Sequence, residues 1–228
     1  MAKFICGKKL VYDAINHGLK IRVLYVLKPV QFPGSSFKVK IINKNQMNQL
    51  TNLNHQGFVA ELETEFQYTS FEEIIKEQPK IILVLDHLQD PHNLGAIIRS
   101  ANAAGVNHLI LPKARSVSVN ETVLRTSSGG IVNMKIARVN SLQASLKKLK
   151  KEHYWIYVSA LDQEAQNYSN VNYNFPLVLV IGNEAKGVSK SILYEADGII
   201  FIPLKGTVQS LNASVACGIL LFEILKKL

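Results

Sequence analysis

The sequence predicts an α/β protein, with a parallel-sheet domain preceded by a smaller α+β domain. Three observations carry this reading. Residues 80–112, KIILVLDHLQDPHNLGAIIRSANAAGVNHLILP, set an apolar β-branched run, a turn, a helical stretch and a second apolar run in succession, the order of a βαβ unit and therefore of parallel strands. Further steps of the same kind follow in SLQASLKKLKKEHYWIYVSA and PLVLVIGNEAKGVSKSILYEA. Before residue 80 the pattern is mixed, with short strands around one helix. The expected layout is a small domain over residues 1–64, a connecting helical segment over 65–79 and a large domain over 80–228.

In the small domain, KKLVYDAINHG predicts a helix closed by Gly18, RVLYVL and FKVKII predict strands, PVQFPGSS between them is a loop, and HQGFVAELE is a further strand. In SFEEIIKEQP, Ser70 stands as a helix cap with Glu73 three residues on, and Pro79 stops the helix. In the large domain IILVL suits a strand buried on both faces, DHLQDPHN is turn chemistry, LGAIIRSANAA is helical, and Gly105 occupies the place of a C-terminal glycine before the strand HLIL. The chain closes with GIIFIPLKGTVQSLNASVACGILLFEILKKL: a strand, a glycine loop and a long helix whose last lysines meet the negative end of its dipole.

A chain of 228 residues that is 47% hydrophobic has material for one sizeable core and a small second domain. Its longest apolar runs, such as GILLFEIL, fall well short of the roughly 20 residues that span a bilayer, so a soluble protein with no membrane partner is expected. MAKFICGKKLVYD shows no cleavable signal pattern, which points to a cytoplasmic protein. Cys6 and Cys217 are too few for a disulfide framework and match no zinc spacing; both read as small buried hydrophobes. No metal is expected, since the six histidines show no HExxH pattern. Lysine and arginine number 26 against 17 acids, a formal charge of +9, which favours a polyanionic partner through counterion release. LKKLKKE over 146–152 reads as a solvated helix face.

In parallel sheets, ligands bind beyond the carboxyl ends of the strands. The loops DHLQDPHN, GNEAKG and PLKGTVQSLN occupy that position. GNEAKGVS has Gly182, Gly187 and Ser189 in phosphate-loop register, yet Val188 stands where the lysine belongs and Glu184 adds a negative charge. A nucleotide-hydrolase reading is therefore weak, and neither GxGxxG nor GxSxG occurs. Arg99 follows the first loop, with Gly95 one turn earlier expected to leave room for the guanidinium to reach back; the competing reading is a surface arginine paired with a carboxylate. Asn93 and Asn212 stand where helices begin, so each also reads as an N-cap. Ser210 and Asn212 end a loop whose Gly206 allows close backbone approach. Taken alone, these residues reach an α/β enzyme or binding protein with a glycine-lined, backbone-rich pocket.

DPHNLGAIIRSANAAGV, VLVIGNEAKGVS and IPLKGTVQSLNASVA resemble, in order, the three motifs of the SpoU/TrmH family of S-adenosylmethionine-dependent RNA 2′-O-ribose methyltransferases, within the SPOUT superfamily. With LPKARS they cover most of residues 81–225. GKKLVYDAI and HQGFVAELE are similar to the small substrate-binding domain of the subgroup that modifies a guanosine of large-subunit 23S ribosomal RNA. PVQFPGSS departs from that subgroup, which carries a helix there, and SSGG over 127–130 departs slightly from its SAGA-like run. The resemblance implies a deep trefoil knot, which periodicity does not reveal, and a homodimer packed through the knotted domain. It implies that Gly182, Ile202 and Leu211 hold S-adenosylmethionine by their main chains, that Leu204 and Ala213 line the same pocket, and that Ala160 closes one side. Asn93 and Arg99 are the implied catalytic pair, completed by Glu184, Ser210 and Asn212. Transfer RNA as substrate, or a non-catalytic RNA-binding role in ribosome assembly, are the alternatives.

Overall fold

A computed structural model describes residues 4–16, 18–33, 35–52, 54–63, 66–184 and 186–228. The boundary expected at 64/65, and His17, Gly34 and Ala185 of the segments read above, lie outside the described residues.

The small domain begins with β1 (Phe4–Cys6), α1 (Lys8–Asn16), β2 (Ile21–Val26) and β3 (Lys38–Ile41), followed by α2 (Lys44–Leu50) and β4 (Phe58–Leu62). Its four strands run in the order β1-β4-β2-β3. β4 is antiparallel to β1 and β2, whereas β3 is parallel to β2. α1 turns Leu10, Val11 and Ala14 inward and ends before Gly18, whose φ of +78° supplies the left-handed turn. α2 is an addition to the expected elements. It is announced by a reciprocal cap, in which Asn43 Oδ1 accepts the Gln46 N–H at 2.9 Å and Gln46 Oε1 accepts the Asn43 N–H at 3.1 Å. Its Met47 is fully buried against Cys6 and Val59.

The connecting segment holds α3 (Phe71–Glu77), which packs on the large domain, and the large domain contains β5 (Ile81–Leu85), α4 (Pro91–Ala103), β6 (His108–Pro112), α5 (Glu121–Thr126), β7 (Lys135–Val139), α6 (Leu142–Lys151), β8 (Trp155–Ser159), the short β9 (Gln166–Asn167), β10 (Leu177–Ile181), α7 (Lys190–Leu193), β11 (Gly198–Phe201) and α8 (Ala213–Lys226). The sheet order is β7-β6-β5-β10-β8-β11-β9, and every pairing is parallel. β5 and β10 are buried at every position, as two-sided coverage by helices requires. One face of the sheet packs with α4 and α8, the other with α3 and α6. α3 is capped by Ser70 Oγ, which accepts the Glu73 N–H at 3.1 Å, and it buries Ile74 in the second of these cores. The lysine-rich helix α6 buries Leu142, Leu146 and Leu149, while Lys150 pairs with Asp197 at 2.8 Å. Cys6 and Cys217 are free and buried, and burial pushes the Cys6 thiol up to about 11. Among the described residues no helix is long and apolar enough to cross a membrane.

α4 starts at Pro91 with Asp90 as its cap and ends at Ala103, two residues before Gly105, where φ is +71°. Gly95 is buried between α4 and α5: a Cβ there would lie 2.6 Å from Thr126 Cβ and 3.1 Å from the Val123 carbonyl oxygen. This glycine serves close helix packing, which corrects the expectation that it frees space for Arg99. Gly95→Ala should therefore lower stability by about 1–3 kcal/mol through overpacking, read as a lower denaturation midpoint with an unchanged slope.

Candidate active site

Because all the strands are parallel, the loops after β5, β10 and β11 leave the same edge of the sheet. Asp86, only 1% exposed, directly follows β5 and joins the first two loops. Its Oδ1 is hydrogen-bonded to His87 Nδ1 at 2.5 Å, and its Oδ2 accepts the Ser189 N–H at 2.7 Å. Asn183 Nδ2 adds a second tie by donating to the His87 carbonyl at 2.9 Å.

The loop after β10 closes on itself, with Asn183 N–H donating to Gly187 O at 3.0 Å and Gly187 N–H to Asn183 O at 2.9 Å. Gly187 has φ +65°. A Cβ on Gly182 would collide with the Gly187 carbonyl carbon and lie 2.6 Å from the Val188 nitrogen, so only glycine permits the closure. Gly206, in contrast, has open space around it, and the packing of the third loop places no demand on it.

A chain of side-chain hydrogen bonds links all three loops. Asn93 Nδ2 donates to Glu184 Oε1 at 2.5 Å, and Asn212 Nδ2 donates to Asn93 Oδ1 at 2.8 Å. Ser214 Oγ donates to Asn212 Oδ1 at 2.6 Å, and the Ser214 N–H donates to the same oxygen at 2.8 Å. Every donor points toward the carboxylate, so both amides have one orientation and the bonds polarise one another. Asn212 is an N-cap, as expected. Asn93 is not: Asp90 Oδ1 caps α4 by accepting the His92 N–H at 2.9 Å, and Asn93, third in the helix and 7% exposed, is free to join the two other loops.

Beside this chain lies a cleft of about 530 Å³. Gly182, Ile202, Leu204, Leu211, Ala213 and Ala160 line it, together with Glu184 and Ser210. Asn93, Asn212 and Arg99 are not lining residues; the two asparagines reach the cleft through Glu184. Arg99 is exposed on α4, and Gly130 packs under it, where a Cβ would lie 3.4 Å from Arg99 Cα. The SSGG turn supplies that close approach, with φ of +48° at Ser128 and +82° at Gly129. Asp86, Asn183 and Ser214 are positioning residues that the sequence reading omits. The signal for Asp86 was an acid directly after a fully apolar strand, whereas nothing local marks Asn183 or Ser214. Among the described residues no group of three or more His, Cys, Asp or Glu side chains is arranged to hold a metal ion.

The large domain matches the family model described as SpoU rRNA Methylase family over residues 80–222, and the small domain matches RNA 2'-O ribose methyltransferase substrate binding over residues 4–69. A protein of Staphylococcus haemolyticus, named "Putative TrmH family tRNA/rRNA methyltransferase", is 38% identical over 238 residues, covering 98% of this chain and 95% of its own length. The crystal structure of an AdoMet-bound rRNA methyltransferase from Sinorhizobium meliloti is 28% identical with a TM-score of 0.80, over 99% of this chain and 87% of that one. A TrmH/SpoU tRNA modifying enzyme of A. aeolicus is 33% identical with a TM-score of 0.60, over 69% of this chain and 83% of that one. With both domains matched and the relative aligned nearly end to end, the chain belongs to the SpoU/TrmH family of RNA methyltransferases.

Proposed function

We propose that this protein transfers a methyl group from S-adenosylmethionine to a ribose 2′-OH in RNA, and that its target is a guanosine of large-subunit 23S ribosomal RNA. The observation that carries the reading is the Ser214–Asn212–Asn93–Glu184 hydrogen-bond chain, which holds three loops against one cleft. The cleft suits the donor: its walls are the apolar side chains of residues such as Ile202, Leu204 and Leu211, and Lys186 is the one cation among its described lining residues. Such a lining fits adenosine and methionine groups better than a polyphosphate. When bound, the donor supplies an electrophilic methyl group on a sulfonium centre.

The protein's task is then orientation and exclusion of water, from which an in-line transfer gains most. Ser210 and Asn212 hold the target ribose. Arg99 fixes the adjacent phosphate and polarises the hydroxyl. Since a guanidinium stays protonated, the hydroxyl proton leaves to phosphate or water. Ribosomal RNA is favoured over transfer RNA because the neighbour described as an rRNA methyltransferase spans both domains, whereas the one described as a tRNA modifying enzyme covers 69% of this chain.

The working unit in this reading is a homodimer joined through the large domain. α8 packs on α4 and β10, yet Val215 remains 50% and Phe222 47% exposed, a surface that a second copy would cover. A trefoil knot, with the C-terminal segment threaded behind the loop after β10, belongs to the same proposal.

Three outcomes are expected. Labelled methyl transfer to unmodified large-subunit rRNA, followed by alkaline hydrolysis, should leave a single resistant linkage, with no transfer to tRNA; transfer to tRNA alone would replace the substrate. Arg99→Ala should slow single-turnover transfer by about 100-fold or more, as loss of one aimed donor does, while isothermal titration shows donor affinity unchanged; a near wild-type rate would remove Arg99 from the mechanism. Phe222→Glu should sediment as a monomer at concentrations where the parent protein is a dimer.

A further inference from the structure

Three depressions along the small domain adjoin one another through shared lining residues. The widest, about 710 Å³, is walled by Tyr12, Phe32 and Phe37. Tyr12 also lines a second depression with Lys8, Lys9 and Gln56. Lys9 and Gln56 in turn line a third, about 240 Å³, whose far wall is Arg125 and Ser128 of the large domain. Ser128 opens the turn that packs under Arg99 through Gly130. The series therefore follows the outer face of α1 and ends at Arg125 and Ser128, beside the turn whose Gly130 packs under Arg99.

The sequence of α1 builds this face. Leu10, Val11 and Ala14 turn inward, leaving Lys8, Lys9, Tyr12 and Asn16 on the outer stripe. From Lys8 to Asn16 the helix extends about 12 Å at 1.5 Å per residue. Beside it stands Phe32, whose ring centroid lies 5.2 Å from that of Tyr12 and 5.7 Å from that of Phe37. These rings are half-buried: Phe32 and Phe37 also pack against the hydrophobic core, and all three line the depression. Lys8, Lys9, Lys20 and Arg125 contribute four positive charges along the walls, against Asp13 and Glu63.

We infer that this groove carries a single-stranded segment of the substrate RNA, with one unstacked base held in the Tyr12–Phe32–Phe37 pocket and the backbone led past Lys8, Lys9 and Arg125 toward Arg99. A cationic track ending in an aromatic platform is how proteins hold single strands, and splayed bases are the part of RNA that side chains read. Two of the three rings, Phe32 and Phe37, come from between β2 and β3. The inference rests on the proposed RNA methyltransferase activity and assigns the small domain's contact to one face of it.

The test uses the full chain and an unmodified large-subunit rRNA transcript, with filter binding over a range of salt concentrations. Lys8→Ala/Lys9→Ala should reduce the slope of log affinity against log salt by about 1.4, the value for two single-strand phosphate contacts. Lys147→Ala/Lys151→Ala on α6, which removes the same charge from a helix of the large domain, should leave the slope unchanged. Phe32→Leu should weaken binding about tenfold through lost stacking. Equal slopes for the two lysine pairs would overturn the groove, and because all four lysines are surface residues this comparison holds even if Phe32→Leu does not fold. Methyl transfer is followed in parallel. Transfer by the parent protein with unaltered binding in the groove variants sinks the groove alone, whereas groove effects without any transfer sink the catalytic reading and keep the RNA path.

Discussion

The amide of Asn93 is the constraint on which the site depends. It is 7% exposed, and both of its polar atoms are engaged by loops from other parts of the chain, Glu184 at 2.5 Å on one side and Asn212 at 2.8 Å on the other. A buried amide with its donor and its acceptor both satisfied has one orientation, and removing either partner strands a polar group away from water. The asparagine amide supplies both, an NH2 donor for Glu184 and a carbonyl acceptor for Asn212, from one short side chain. Through this group the start of α4 sets the relative positions of the loop after β10 and the start of α8.

The sheet makes that meeting possible. β5 and β10 are neighbours with Leu85 opposite Ile181, so loops about a hundred residues apart in the chain leave the sheet side by side. Asp86 then ties them directly, through Ser189 of one loop and His87 of the other. Gly182 lets the second loop fold back within a few residues, which keeps Glu184 beside α4. The glycine-bounded stretch that resembles a phosphate loop in spacing is thus a tight, self-bonded turn with an acid at its tip, a poor host for phosphate and a suitable wall for an apolar cleft.

The small domain is coupled to this site through helix packing. β1 contacts α5, and α5 lies against α4 where Gly95 admits it. Thr51 of the small domain hydrogen-bonds both the Cys6 thiol and the Glu121 carboxyl at the start of α5. Partial burial raises the Glu121 pKa from its ordinary value despite that bond, as desolvation of a carboxylate does. The helix that carries Asn93 and Arg99 therefore receives, on its outer side, the element on which the RNA-binding domain rests.

Much of this was legible in the sequence because it is governed by short-range sterics. The buried strands, the Ser70 cap, the left-handed glycines Gly18 and Gly105, the Asn212 cap and the three loops at the carboxyl ends all follow from patterns spanning a few residues. The cap of α2, Asn43 with Gln46, was equally local and could have been read there. Ala160, Gly182 and Ile202, far apart in the chain, line one cleft. The role of Asn93 was hidden, since a position near a helix start looks like a cap until Asp90 is seen to fill it. Gly95 was hidden for the same reason: its missing side chain answers to Thr126, on another helix. The sequence alone determined which segments become strands, helices and turns, because those choices depend on each residue and its near neighbours. Only the tertiary structure decided which polar atoms pair across 91 and 119 residues of chain, because such pairings depend on sheet order and helix packing that no local pattern encodes.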